Sequence, residues 1–221
     1  MNTKCSILLL IAALGGFCSC KNNDEVFAPK VITNINVVNA SADTLNFYLN
    51  GTRQTNTSSL YPGGQSYYIK VPAGQQNYQF KKAGGFTDLF SMPLNLKDST
   101  NNSLYITGES ANDAFYTQDI IDTLTNFSTV RFVNAAPDAG NLDMTVGDTL
   151  SFTGKPFKSS SAFLSVGSGK KVVKIYQTGA TMPIKDTTIT LQPNRAYTLF
   201  AKGLLNGKGN AAFGVGTVIN F

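Results

Sequence analysis

The stretch "VRFVNAAPDAGNLDMTV", residues 130 to 146, has an echo at "INVVNASADTLNFYL", residues 35 to 49. Aligning the two sets Val38-Asn39-Ala40 against Val133-Asn134-Ala135 and Asp43 against Asp138. Beyond a two-residue insertion in the second copy, Leu45, Phe47 and Leu49 fall on Leu142, Met144 and Val146. The correspondence then resumes. "YIKVPAGQQNYQF" (68 to 80) lies over "FLSVGSGKKVVKI" (163 to 175), and "LNL" (94 to 96) over "ITL" (189 to 191). Finally "AFYTQDIID" from 114 meets "AFGVGTVIN" from 212. A spacing of about 95 residues is too long for a solenoid unit and has the length of a small β-sandwich. The chain reads as two copies of one domain, residues 33–122 and 129–221, joined by a linker at 123–128.

Each copy reads as strands. Leu45, Phe47 and Leu49 alternate with Asn46, Tyr48 and Asn50, the period of two expected of a half-buried strand. Tyr67, Ile69 and Val71 alternate with Ser66, Tyr68 and Lys70 in the next, which sets the first three inward and Tyr68 outward. In "KKVVKIY" the same rule sends Val173 and Ile175 to the core and Val172 and Lys174 to the surface. Turn signals punctuate these runs: "NG" at 50, "PGG" at 62, "PAG" at 72 and "QPN" at 192. About seven short strands per copy fit an all-β fold, two tandem immunoglobulin-like sandwiches of antiparallel sheets. Tyr197, a few residues after a turn and heading a strand shared with Leu199 and Ala201, fits a tyrosine corner or an ordinary core tyrosine. Its inward counterpart in the first copy is expected to be Leu104, with Tyr105 facing out.

The N-terminus is a targeting segment and takes no part in the fold. Lys4 supplies a positive start, "SILLLIAALGGF" is an apolar run of signal-peptide length, and "FCSCKNNDE" follows. This junction resembles the lipobox of bacterial lipoproteins, in which cleavage before a cysteine exposes it for lipidation. Ser19 before Cys20 suits a cleavage position that wants a small side chain, and Phe17 before Cys18 does not. The expected plan is a signal peptide at 1–19, lipidation (a palmitate-bearing anchor) at Cys20 and a tether at 20–32. All three cysteines lie at positions 5, 18 and 20, so the processed chain keeps one. Without a disulfide, each exported domain must be held by its core. Lys21, Asp24 and Glu25 resemble the lysine-plus-acidic signal of some surface-exposed Gram-negative lipoproteins, which implies an outer-membrane address.

The run V-R-F-V-N-A-A-P-D-A, an alternating apolar strand after it and a late "YTLFAKG" make the chain similar to the domain of unknown function 4397 family. Members of that family are exported or surface-anchored, immunoglobulin-like and often duplicated. The resemblance implies no catalytic residues. The second copy carries the motif throughout, whereas the first has Ser41-Ala42 where Ala136-Pro137 stand. Asn and Asp in the shared Asn-Ala-x-x-Asp are read as turn caps, their side chains bonding to nearby backbone.

Catalytic signatures are poor. The chain has no His, so Ser-His and Cys-His pairs are excluded, and no thiol remains to act as a nucleophile. "SGKK" at 168 to 171 fits S-x-x-K but sits in a glycine-rich turn without the companion motifs. "DAGNLD" and "DSTNN" carry oxygens but not the ligand spacing of a calcium loop. No catalytic, cofactor-binding or metal-ligating residue is assigned, and no nucleic-acid motif is present.

Charge divides the halves. Residues 33 to 122 hold five Lys or Arg against seven Asp or Glu, and residues 129 to 221 hold ten against four. Such asymmetry marks an acidic partner such as a polysaccharide, a lipopolysaccharide phosphate or a neighbouring protein, and the same lysines also suit a solvated face that blunts edge strands. Candidate contacts are Lys170, Lys171 and Lys174, with Tyr68 and Phe163 as outward aromatics at matching positions. Those two rings would either stack on a ligand or bury the contact between the domains. The sequence therefore leads to a non-enzymatic outer-membrane, cell-surface lipoprotein for binding, adhesion or assembly, held to the membrane by its lipid. The alternative is a carbohydrate- or polyanion-binding module working beside separate enzymes.

Overall fold

The computed structural model describes residues 31–55, 58–122 and 126–220. The signal peptide, Cys20, the tether as far as residue 30 and linker residues 123–125 lie outside the described residues. Residues 31–220 belong to one compact unit.

The first copy contributes β1 (Ile32–Asn39), β2 (Leu45–Leu49), β3 (Thr52–Arg53), β4 (Gln65–Pro72), β5 (Gly74–Lys82), β6 (Phe90–Leu96), β7 (Asn101–Ile106) and β8 (Ala114–Gln118). The second contributes β9 (Ser128–Asn134), β10 (Leu142–Val146), β11 (Leu150–Lys155), β12 (Ser159–Ser160), β13 (Leu164–Val166), β14 (Gly169–Gln177), β15 (Lys185–Leu191), β16 (Ala196–Lys202) and β17 (Gly214–Ile219). One sheet of the first copy runs β4-β1-β7-β8 and the other β3-β2-β5-β6. The second copy repeats both, with β12 and β13 beside β9 in the sheet β9-β16-β17, and β11-β10-β14-β15 opposite. The two copies thus share one strand order. Their ladders are antiparallel except at the centre of one sheet in each, where β1 pairs β7 and β9 pairs β16 in parallel.

Each sandwich has its own core. Leu45, Phe47 and Leu49 are buried in the first with Tyr78, Phe80 and Leu104, and Leu142, Met144 and Val146 in the second with Val173, Ile175 and Leu199. The phenylalanines of the first stack: Phe47 lies 5.5 Å from Phe80 and 5.9 Å from Tyr78, ring centre to ring centre. A third cluster joins the copies. Val38, Ala40 and Tyr105 of the first meet Val133, Ala135, Phe200 and Val218 of the second. These residues alternate with those of the two sandwich cores, so β1, β7, β9 and β16 are covered on both faces. The inner sheets therefore pack face to face, and the two copies together stack four sheets. Strands buried on both sides read as continuous apolar runs, and parallel pairs belong in such covered positions.

Tyr105 does face out of its own sandwich but is buried by the other, and two further expectations need correction. Tyr67 does not face the core. It is exposed with φ of 57° at a bulge, where Ser66 and Tyr67 together oppose Val37. The extra residue is absorbed by the Ser66 hydroxyl, which accepts from the Val37 amide at 2.8 Å. The second copy does the same, Ser161 accepting from Phe132 at 2.9 Å, and there the strand is split into β12 and β13. A bulge re-aims the side chains that follow it. The second correction concerns Tyr197. Its phenol accepts from the Gln192 amide at 3.0 Å, the upstream bond of a tyrosine corner. Ladder register matches it to Asn102, not Leu104, because Tyr197 lies beside Val130 as Asn102 lies beside Ile35. Asn102 holds the same turn by donating to the Thr100 hydroxyl at 2.9 Å.

Candidate functional site

Arg131 points from β9 into the layer between the inner sheets, because Val130 and Phe132 take the core side of the strand. Across that layer sits Asp119, one residue beyond β8. The side chains are 2% and 0% exposed and form an ion pair. Two buried charges persist only when their remaining hydrogen-bonding capacity is met. Here it is. The Arg131 Nε donates to Thr198 at 2.7 Å, Nη2 also reaches the Tyr105 hydroxyl at 3.3 Å, and the guanidinium lies 4.7 Å from the centre of the Phe163 ring. Asp119 accepts from the Tyr68 and Ser103 hydroxyls, the latter at 2.7 Å. Asn220 closes the set, donating to the Tyr68 oxygen at 3.0 Å and accepting from Thr198 at 2.7 Å.

Ladder register reveals a pseudo-symmetric plan. Arg131 occupies the position of Asn36, Phe163 that of Tyr68, Phe200 that of Tyr105, Thr198 that of Ser103, and Asn220 that of Asp119. Equivalent surfaces of the two copies face one another, as in an isologous dimer. The charges differ between copies, so each charged member finds its opposite across the seam. Gly216 stands where the first copy has Phe115, and a β-carbon there would collide with the Phe200 ring. Phe115 instead stacks on Tyr105 with ring centres 5.1 Å apart.

Electrostatics follow from burial. Burial, with the Asp119 carboxylate beside it, pushes the Tyr68 phenol far above the ordinary tyrosine range. Burial raises Tyr105 as well. For Arg131 burial favours loss of the proton, but the Asp119 carboxylate beside it holds the cation. These groups spend their bonds on one another inside a closed layer, so their chemistry is adhesion between domains.

The structure divides the six site residues expected from sequence. Tyr68 reaches the seam, where Asn220 of the second copy donates to it, and Phe163 lies half-buried against the Arg131 guanidinium of its own copy. Lys170 and Lys174 lie exposed on the outer face of β14, in the outermost sheet of the second copy. Lys171 faces the other way, half-buried, its stem passing beneath Gly147. Cys20 is outside the described residues. Sequence reading missed Arg131, Asp119 and Asn220. The one available signal was an arginine inside an otherwise apolar strand.

The Asn-Ala-x-x-Asp motif is structural in both copies. Asn39 donates to the carbonyls of Asp43 and Leu60 at 2.7 and 2.8 Å and accepts from the Ser41 amide. Asn134 donates to Gly140 and Lys155, both at 2.9 Å, and accepts from Ala136. Asp138 accepts from the Leu205 amide at 3.1 Å, and Asp43 pairs with Lys82 at 2.9 Å. Among the described residues no group of three or more His, Cys, Asp or Glu is placed to hold a metal, and no helix is long and apolar enough to cross a membrane.

Comparison with known proteins gives one family. The family model described as domain of unknown function (DUF4397) matches twice, over residues 33–126 and 128–215. No curated protein matches. Similar solved structures include a family 41 carbohydrate-binding module from streptococcal virulence factors, described for alpha-glucan recognition. It is 14% identical, with 76% of this chain and 92% of that chain covered and a TM-score of 0.25. Another is a family 26 carbohydrate-binding module of Eubacterium rectale Amy13K in complex with maltoheptaose. It is 8% identical, with 83% and 95% covered and a TM-score of 0.26.

Proposed function

The chain belongs to the DUF4397 family, carrying its domain twice, and from that premise we propose that it is a non-enzymatic surface lipoprotein. Its lipid at Cys20 holds it to the bacterial outer membrane, and its two sandwiches work as one rigid body for binding, adhesion or assembly. The observation that carries this reading is the seam. Arg131, Asp119, Tyr68, Tyr105 and Asn220, the polar groups best suited to chemistry, are consumed in joining the two copies. What remains for a partner is the outer surface. A covalent lipid adds membrane affinity with each buried methylene, and stable anchoring takes more than one chain or signal. That requirement suits the Cys20 junction of a bacterial lipoprotein.

Feeding labelled fatty acid to cells making each variant tests the anchor. Cys20→Ala should abolish labelling and Cys18→Ala should leave it intact. Label still entering the Cys20→Ala protein would sink the anchor assignment. Protease added to intact cells should then cleave the anchored protein if it is displayed outward. Full protection, with cleavage only after lysis, would remove surface display.

A further inference from the structure

We propose that the outer sheet of the second copy carries a binding groove for an acidic polysaccharide, a proposal that rests on the reading of the chain as a displayed binding module. The groove runs along β14. One shallow cleft of about 390 Å³ is lined by Thr145, Gly147, Asp148, Val172, Lys174 and Tyr176. A second, of about 280 Å³, shares Gly147, Asp148 and Val172 and extends to Lys170. Together they span the strand from Tyr176 to Lys170, roughly 20 Å at the rise of a β-strand. That is the reach of an extended oligosaccharide, not of a single ion.

Its chemistry is amphipathic. Val172 is 46% exposed on the floor, and the half-buried Tyr176 follows on the same face. An apolar floor with an aromatic ring suits the C–H faces of sugar rings. The β10–β11 turn forms one wall, and there Asp148 and Thr149 can accept from and donate to sugar hydroxyls. Lys170 and Lys174 supply the charge. Neither makes an ion pair among the described residues, although Asp186 lies across from Lys174 in the ladder. Asp143, on the neighbouring strand, is turned to the Gly154 amide and the Thr178 hydroxyl. Two lysines aimed at solvent beside an apolar floor match the carboxylates or sulfates of an acidic glycan.

The first copy supplies an internal control. Ladder register places Gln75, Asn77, Gln79 and Lys81 where β14 has Lys170, Val172, Lys174 and Tyr176. That face is already occupied. Tyr48 covers the strand with Lys81 5.0 Å from its ring centre, and the Gln79 amide is spent on Gly51 and Asp88. The fold therefore does not require the lysines or the open floor, and both appear only where the groove is.

The test uses the chain from residue 21 and immobilised polygalacturonate, with neutral dextran as the reference. Binding should favour polygalacturonate and weaken about tenfold or more between about 50 and 500 mM salt, since exposed charges are screened over about 8 Å at physiological ionic strength. Lys170→Gln with Lys174→Gln, which installs the first copy's residues, should weaken it about tenfold. Tyr176→Ala should weaken it comparably, and Lys97→Gln in the first copy should change nothing. Equal loss on Lys97→Gln would mean diffuse charge attraction and would overturn the groove. So would an absence of polygalacturonate binding by the unsubstituted chain. These readouts use soluble protein, whereas lipidation and display are read in cells, so either proposal can fail without the other.

Discussion

The inner sheets and the outer sheets obey one alternation rule and yet look nothing alike in burial. Strands β1, β7, β9 and β16 are covered on both faces, and β5 and β14 bury alternate residues only. The difference is made by the second copy, not by the strand. Val38 points out of its own sandwich as surely as Lys174 does, and it is buried because Val133, Phe200 and Val218 meet it. A duplicated domain can thus turn one outward face into a core and leave the other free for a partner.

Breaking the inner layer should cost most. Asp119→Ala strands the Arg131 cation in a closed layer and should destabilise by about 3–5 kcal/mol, measured by urea unfolding. Alkali attacks the same layer. Tyr68 and Tyr105 are held neutral in the fold, their folded pKa values lying above the ordinary value near 10. Their contribution is fully present below about pH 10 and is lost as pH rises towards the folded values. Buried Tyr78, raised to about 12, adds to the loss between about pH 10 and 12. Melting temperature should fall over that range together with the rise of phenolate absorbance. The phenolate signal of Tyr68 itself, read as the absorbance missing from Tyr68→Phe, appearing near pH 10 without loss of structure would show that the layer is open to water.

The turns come next. Asn134→Ala leaves the Gly140 and Lys155 carbonyls without their partner and should cost about 1–3 kcal/mol. Asn39→Ala should cost the same, because its bonds are equivalent, and unequal losses would show that the two motifs are not. The outer sheet should be almost silent. Lys174→Ala is expected to change stability by no more than about 0.5 kcal/mol, and a larger loss would make that lysine part of the fold.

Much of this was legible in the chain. The echo between Val38-Asn39-Ala40 and Val133-Asn134-Ala135 fixes the duplication, and the two-residue period assigns Leu45, Phe47, Val173 and Ile175 to cores where they are found. The Asn residues cap their turns as expected, bonding to backbone two to six residues away, and each also reaches a carbonyl 21 residues on. Asp138, by contrast, bonds to Leu205 and Asp43 pairs with Lys82, both far along the chain. Three things were not legible. Tyr67 reads as inward until the bulge beside Ser66 shifts the register, and a bulge leaves no periodic signature. Tyr105 reads as facing out, which is true of its own sandwich, but it is buried by the other. Sequence similarity pairs Asn220 with Asp122, because "AFYTQDIID" and "AFGVGTVIN" match best three residues out of register. The ladders instead place Asn220 opposite its true counterpart, Asp119, after a longer loop before β17. Contacts between copies depend on both surfaces at once, and neither repeat records its neighbour.

The face-to-face packing of the inner sheets is tested most directly by the Tyr105 and Phe200 rings. They come from equivalent positions in different copies and lie edge to face with centres 6.0 Å apart. Nuclear Overhauser spectra of protein labelled in tyrosine and phenylalanine rings should show a cross-peak between these two residues that disappears in Phe200→Leu. If the cross-peak is absent while those within the first core, such as Phe47 to Phe80, are intact, the two sandwiches do not share a seam.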